Sequence, residues 1–446
     1  MKTRVLLFSL AAAIAFTFSL VVHAQAQAQY KILLSFSQGG SNGTYPSSKL
    51  IFDSAGNMYG VTEDGGDTKL GCALYEGCGV VFKLSPAGNG GWHDTSLFRF
   101  STSTTGALPV GGVVVTAAGD VIGTTLNGGN SGSCSGAVSG CGVVFQLTAG
   151  TGIWSETVLQ YMDTYSNGGI PDGLIADASG NLYGINAVDG SGTCGGGGCG
   201  TIYRLSPSSS GGWDMTVLYT FTGGSDGGGP WGSLTFDAAG NLYGSTYAGG
   251  NLATGCNTSS GPGCGVVFKL SPTDSGPWDE SVLYTFSGLA DGGYPNSDLA
   301  FDSAGNLYGT TLGGGKSNPN CDFYGLCGVV FKLSPAASGP WTQSVLYSFS
   351  GGADGATPSA GVIVDSAGNL YGTTKYGGGN ADCGSYGCGV VFKIAQVSGG
   401  AWKEVLLHTF DGGDGQSPTE PMTFGSGNNL YGTASAGGGV VFEIKP

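Results

Sequence analysis

Charge is scarce in this chain of 446 residues: Asp, Glu, Lys and Arg together make up 10%. Basic side chains are the scarcer half, 15 Lys and Arg against 30 Asp and Glu, which leaves a formal charge of −15. That balance excludes the basic footprint of a nucleic-acid binder and disfavours anionic membrane surfaces. Histidine is nearly missing, with three in the sequence. His-rich metal sites and His-based triads therefore have little material to draw on. No window repeats its apolar residues at a helical period, which argues against an α fold. No apolar run after Val22 is long enough to cross a bilayer.

The first residues read as a secretory leader. Lys2 and Arg4 precede an apolar stretch from Leu6 to Val22, and Ala24-Gln25-Ala26-Gln27-Ala28 offers small-x-small cleavage sites. We assign residues 1–28 to this signal peptide and residues 29–446 to a single domain. Cleavage removes two positive charges, so the mature charge is −15 − 2 = −17. The mature chain is expected to be exported, extracellular or periplasmic, with no membrane span, no nucleic-acid partner and a monomeric state.

Glycine, by contrast, is abundant at 89 residues, as befits many tight turns. The turn Gly-Asn-Leu-Tyr-Gly, or a near copy, recurs at Asn57, Asp120, Asn181, Asn241, Asn306, Asn369 and Asn429, at intervals of 63, 61, 60, 65, 63 and 60 residues. A period of this length means one supersecondary unit repeated. Each unit holds four short segments rich in Val, Leu, Tyr, Phe and Thr, separated by Gly, Pro, Asn or Ser clusters. In the fifth unit they are residues 298–302, 306–311, 328–333 and 344–349. Four strands repeated radially describe a β-propeller blade. The last copy stops after its third strand, Val440 to Ile444, while an orphan fourth strand, Ile32 to Phe36, opens the mature chain. Pairing the two closes a ring and removes a sheet edge. The fold class is therefore all-β, a seven-bladed propeller whose N-terminal strand completes the last blade.

The twelve Cys fall at one place in successive units, as Cys72/Cys78, Cys134/Cys141, Cys194/Cys199, Cys256/Cys264, Cys321/Cys327 and Cys383/Cys388. An even number in an exported chain reads as disulfides, each within its own unit. Each ring spans about six to nine residues, for which loop entropy gives roughly 2–2.5 kcal/mol. Two roles stay open for them: pre-ordering a Gly-rich loop for a partner, or shielding it from proteolysis.

The repeat Asp-x-x-Gly-Asn-Leu-Tyr-Gly-Thr-Thr, then Gly-Val-Val-Phe-Lys-Leu-Ser-Pro, then Val-Leu-Tyr-Ser-Phe-Ser-Gly-Gly-x-Asp-Gly resembles the GloVer tandem repeat of exported bacterial choice-of-anchor proteins. The first hairpin also looks like those of NHL-type propellers. The resemblance implies extracellular or surface placement and no particular activity. Members carry C-terminal sorting anchors, whereas this chain ends at Pro446 directly after a strand, which favours free secretion or periplasmic residence.

Within a blade, the loop carrying the Cys pair and the loop to the next blade emerge on one face, and they vary most between units. Function is expected there, around the central channel. Aromatic residues suited to sugar rings or peptide side chains are Trp231, Tyr45 and Tyr294 in inter-blade loops and Tyr75, Tyr324 and Tyr386 in Cys loops. Local packing of each ring on its own loop is the alternative. The six regular Trp, at 92, 154, 213, 278, 341 and 402, read as structural. Asn42, Asn167, Asp226, Asp291, Asp354 and Asp414 precede Gly at one loop position, with Thr105 in the second unit. Carboxylates circling the channel mouth are able to hold Ca²⁺, but Asp-Gly and Asn-Gly are also preferred turn pairs. Asp53, Asp177, Asp237, Asp302 and Asp365 read as hairpin-turn residues. No catalytic residue is singled out: His93 and His408 lie in a bottom loop and a fourth strand. The readings carried forward are a carbohydrate- or protein-binding module without cofactor, a glycan hydrolase or lyase using channel carboxylates, and a purely structural envelope module.

Overall fold

A computed structural model of the chain describes residues 28–446 apart from 67–71, 73–76, 89, 102–104, 130–139, 164–167, 189–193, 195–197, 254–255, 259–260, 275, 320, 322–324 and 337–339. Residues 1–27 of the leader, Tyr75, Cys134, Asn167 and Tyr324 lie outside the described residues. The strands assemble into seven antiparallel four-stranded sheets arranged as a propeller ring. Blade four is representative, with strands Gly228–Phe236, Leu242–Ala248, Val266–Ser271 and Asp279–Thr285 from the channel outward.

The ring closes as the chain ends imply. Gln29–Ser35 pairs antiparallel with Val440–Lys445, bringing Leu34 opposite Val441 and Ile32 opposite Phe442. The closing strand also joins the core, because Phe36 packs edge-on against Phe82 of blade one at 5.3 Å between ring centroids. The same Phe–Phe contact recurs between fourth and third strands of adjacent blades, as Phe221–Phe268 and Phe349–Phe392. Each of those rings is fully buried, and burying one stabilises by about 1.5–3 kcal/mol. The Gly of Leu-Tyr-Gly exists for this ring. A Cβ on Gly309 would stand 2.7 Å from Phe331 Cζ and 2.8 Å from Leu299 Cδ2.

Blades are locked to each other at both ends. At the hairpin end, Tyr243 of blade four meets Phe301 and Trp341 of blade five, at 5.0 and 6.2 Å. Tyr431 of blade seven meets Phe52 and Trp92 of blade one in the same way. The periodic Trp residues so described are structural. At the Cys-loop end, the second Cys of one blade offers its carbonyl to the next blade: Cys264 O accepts from Tyr294 N at 2.8 Å and Cys327 O from Thr357 N at 2.9 Å. The Gly after that Cys must lack a side chain, since a Cβ on Gly328 would stand 2.6 Å from Pro358 Cδ.

Five of the six expected disulfides are described, Cys72–Cys78, Cys194–Cys199, Cys256–Cys264, Cys321–Cys327 and Cys383–Cys388. The sixth expected pair, Cys134–Cys141, is not among them, because Cys134 falls outside the described residues. Cys141 itself holds the same place as its counterparts. It is fully buried, and its carbonyl accepts from Ile170 N of blade three at 3.0 Å. No described cysteine is free. The disulfides pack into the seams rather than at loop tips. Cys199, Cys264 and Cys327 are fully buried, and a Cβ on Gly223 or Gly288 of the inter-blade loop would fall 2.3 or 2.4 Å from a disulfide sulfur. Neither role expected from sequence included this anchoring of the blade junction.

Candidate functional site at the channel mouth

Each blade carries an X-Pro pair in or ahead of its first strand. The residue X takes a positive φ, 53° at Tyr45, 62° at Tyr294 and 54° at Thr357. This sparsely populated backbone is held by the N–H bond to the Cys carbonyl of the preceding blade, at 2.8 Å for Tyr294. It turns the residue after Pro into the channel. Ser47, Val110, Asp172, Trp231, Asn296, Ser359 and Thr419, one from each blade, line a cavity of about 400 Å³ at the Cys-loop end. The size falls within the roughly 300–1,000 Å³ of small-molecule sites. A smaller cavity of about 110 Å³ lies further along the first strands and shares Lys49, Gly111, Ser233 and Asp298 with the first. Between them Lys49 of blade one reaches Asp298 of blade five at 3.3 Å, a bar across the channel.

Asp298 is fixed further by Ser233 N, which donates to its Oδ1 at 2.7 Å. Asp172 is 6% exposed and accepts from Gly173 N at 2.9 Å. Blade two offers Gly111 opposite, where a Cβ would stand 2.3 Å from Asp172 Oδ1. Burial pushes the Asp172 carboxyl up to about 6, with the Asp298 charge adding to the shift. Glu420 is partly buried in the cavity wall. That burial, reinforced by Asp172, Asp298 and Glu63, pushes Glu420 up to about 8. Burial raises Glu63 as well. These are carboxyls suited to donating a proton or a hydrogen bond near neutral pH.

Among the described residues Trp231 is the one sequence candidate that lines this cavity, and it is 40% exposed. Tyr294 corrects the expectation of an exposed ring. It is 3% exposed, tilted against Tyr247 at 5.5 Å, and its main chain serves the seam. Tyr45, half-buried, holds the equivalent place before Pro46. Tyr386 is 43% exposed and leans on Tyr376 at 5.3 Å, in the Cys loop rather than the cavity.

The loop carboxylates do not circle the mouth. Asp291 accepts from Tyr284 OH at 3.0 Å and Ser287 N at 2.9 Å, beside the outermost strand. Asp226 and Asp354 repeat the pattern with Tyr219 and Tyr347. In blade six His408 replaces that Tyr, giving Nε2 to Asp414 at 2.7 Å while stacking on Tyr30 of the closing strand at 3.8 Å. Its ring is thereby part of a seam. His93 is exposed on the outer strand Trp92–Arg99. Among the described residues no three His, Cys, Asp or Glu converge in a way that suits a metal ion.

Comparison with known proteins adds a family. The Gloeobacter/Verrucomicrobia repeat family matches residues 251–446. Residues 251–446 carry the GloVer repeat. The matched segment runs from the Cys loop of blade four to the chain end, and blades one to three repeat its motifs upstream. No curated protein matches. Among solved structures the chain is similar to a gluconolactonase from Xanthomonas campestris, at 16% identity over 78% of this chain and 88% of that one, TM-score 0.40. It is similar too to a luciferin-regenerating enzyme, at 12% identity over 94% and 95%, TM-score 0.42. A third is a carbohydrate-active family AA12 protein of Trichoderma reesei, at 12% over 94% and 95%, TM-score 0.43. At these values the likenesses carry no inference about the site, and the propeller is read from its own strand pairing.

Proposed function

We propose that this protein is an exported, non-enzymatic binding propeller whose ligand, a carbohydrate, enters the channel cavity at the Cys-loop end. The observation that carries the reading is Trp231, the exposed indole and the one aromatic ring on a cavity wall that also presents Ser and Thr hydroxyls, Asn296 and four carboxyls. A flat apolar ring with carboxylates and hydroxyls around it matches a sugar's C–H face and its hydroxyl rim. Five disulfides support export, and no helix among the described residues is long and apolar enough to cross a membrane. Glycan-array screening followed by calorimetry tests the reading. Trp231→Ala is expected to weaken binding by about 1–3 kcal/mol, roughly tenfold or more, with an unchanged melting curve. Unaltered affinity in that variant moves the site elsewhere.

A second reading, hydrolysis or elimination of an extracellular glycan, is favoured by Asp172 and Glu420, two carboxyls with raised pKa in one cavity. Release of reducing ends or unsaturated products by wild type, lost in both Asp172→Asn and Glu420→Gln, would establish it over simple binding.

A further inference from the structure

The charges on the cavity wall narrow the ligand class, and this inference rests on the binding reading above. Four carboxyls reach the cavity, Glu63, Asp172, Asp298 and Glu420, with two cations, Lys49 and Lys375. Lys49 is spent on Asp298. Lys375 lies over its neighbour's ring, its ammonium 4.9 Å from the Tyr376 centroid. The ion pairs among the described residues are Lys49–Asp298 and His408–Asp414, so Glu63, Asp172 and Glu420 face one cavity outside any contact ion pair, with Lys49 partly offsetting the charge at Glu420. An acidic wall alone names no ligand, but a second observation lies on it. Thr357 lines the same cavity, is 2% exposed, and its Oγ1 has no hydrogen-bond partner. An unmade hydrogen bond at a buried hydroxyl costs about 1–3 kcal/mol, which a polar ligand group relieves.

We propose that the cavity takes a sugar bearing a primary ammonium: the ammonium sits among Glu63, Asp172 and Glu420, a ring hydroxyl pairs with Thr357, and the sugar face lies on Trp231. The physical reason is the mutual repulsion of carboxylates in a narrow, protein-walled channel. Protons held by the acids relieve that repulsion in the free protein, and a ligand ammonium relieves it in the complex. Binding must then release a proton: the ammonium pairs with the Glu420 carboxylate, and the proton that Glu420 carried passes to the buffer. A neutral acetamido sugar gains nothing from these groups, and a uronic acid is repelled.

The test is calorimetry at about pH 6.5, where a sugar amine is largely protonated, in two buffers of different ionisation enthalpy. The probes are a glucosamine tetramer and its fully N-acetylated counterpart. The amine form is expected to bind at least about tenfold tighter, as one extra ion pair out of bulk water allows, with net proton release to the buffer. In Glu420→Gln the proton release is expected to fall to the small share that Asp172 and Glu63 supply while the amine tetramer still binds, a readout that a loss of folding does not imitate. Asp172→Asn is expected to cut the preference for the amine. Equal affinity for the two tetramers, or binding of other neutral glycans alone, overturns the amine inference and leaves sugar binding standing. Failure of every glycan class to bind overturns both.

Discussion

The hairpin Asp shows how one side chain fixes a turn. Asp302 Oδ1 accepts from Ala304 N and Asn306 N, both at 2.9 Å, and Oδ2 from Asn306 Nδ2 at 2.7 Å and Tyr308 OH at 2.9 Å. Burial opposes its charge, but these bonds, the Asn306 side chain foremost, outweigh burial and hold its pKa below the ordinary value. The stability it supplies is therefore present above the unfolded pKa and is lost as pH falls through the folded one. Asp302→Ala leaves the Tyr308 hydroxyl and two turn amides without their partner. We expect a loss of about 1–3 kcal/mol in urea unfolding, and a loss below a few tenths would show the turn to be set by Gly305 alone. Blade seven reaches the same end differently. It has Gly425 at the Asp position, and Glu443 from the neighbouring strand takes Asn429 Nδ2 at 2.6 Å and Tyr431 OH at 2.9 Å.

Among the elements, the closing strand Gln29–Ser35 has the most distant partner in sequence, Val440–Lys445. It is held by its ladder, by Phe36 on Phe82, and by Tyr30, which stacks on His408 and donates to Asp414 O at 2.5 Å. A chain beginning after Phe36 exposes the edge of Val440–Lys445, a template for intermolecular pairing. Light scattering after gel filtration is expected to show oligomers or aggregate for that truncation and a monomer for wild type. A monomeric truncation with unchanged melting would mean the seventh blade stands without its fourth strand. The disulfides act at the same scale. Cys321→Ala with Cys327→Ala removes about 2 kcal/mol by loop entropy, but the Cys327 carbonyl that holds Thr357 is main chain and survives. Denaturant titration should therefore show a shift of that size without loss of two-state behaviour. A collapse of the whole domain would make the disulfide, rather than the carbonyl, the part that secures the seam.

Over the whole molecule the buried acids set the response to pH. Burial raises Glu156 and Glu420 to about 8, Glu280 and Glu404 to about 7, and Asp172 to about 6. Each binds a proton more tightly folded than unfolded. Their contribution is complete below the unfolded carboxyl pKa and is lost as pH rises through the folded values. His408 runs the other way: burial, which outweighs Asp414, lowers its pKa, so stability falls as pH drops through its range. Five acids against one imidazole predict a urea midpoint higher at about pH 5.5 than at about pH 8.5. The reverse order would show that water relaxes these seams more than their packing implies. Glu280 and Glu404 sit where the fourth strand meets the preceding blade's Tyr–Asp pair, Glu404 Oε2 accepting from Tyr347 OH at 3.0 Å, so the blade seams are the place where the alkaline loss should begin.

The sequence by itself determined the blades, their number and their closure, because turn chemistry and strand alternation are local and a ring repeats them. Asp302 announced its turn through Gly305 and Asn306, and Ile32 to Phe36 announced a missing partner by matching every other fourth strand. The Cys pairs were legible from their period, but their place in the seam was not, since the carbonyl that does the holding, at Cys141 as at Cys264 and Cys327, leaves no mark on residue identity. Only the tertiary structure decided the site. Glu63, Asp172, Asp298, Thr357 and Glu420 come from five blades and meet only where first and second strands converge on one axis. The one available signal was the varied residue after each recurrent Pro, which runs Ser47, Val110, Asp172, Trp231, Asn296, Ser359, Thr419. Tyr294, one residue earlier, is buried against Tyr247, a contact between two blades that neither residue's identity announces.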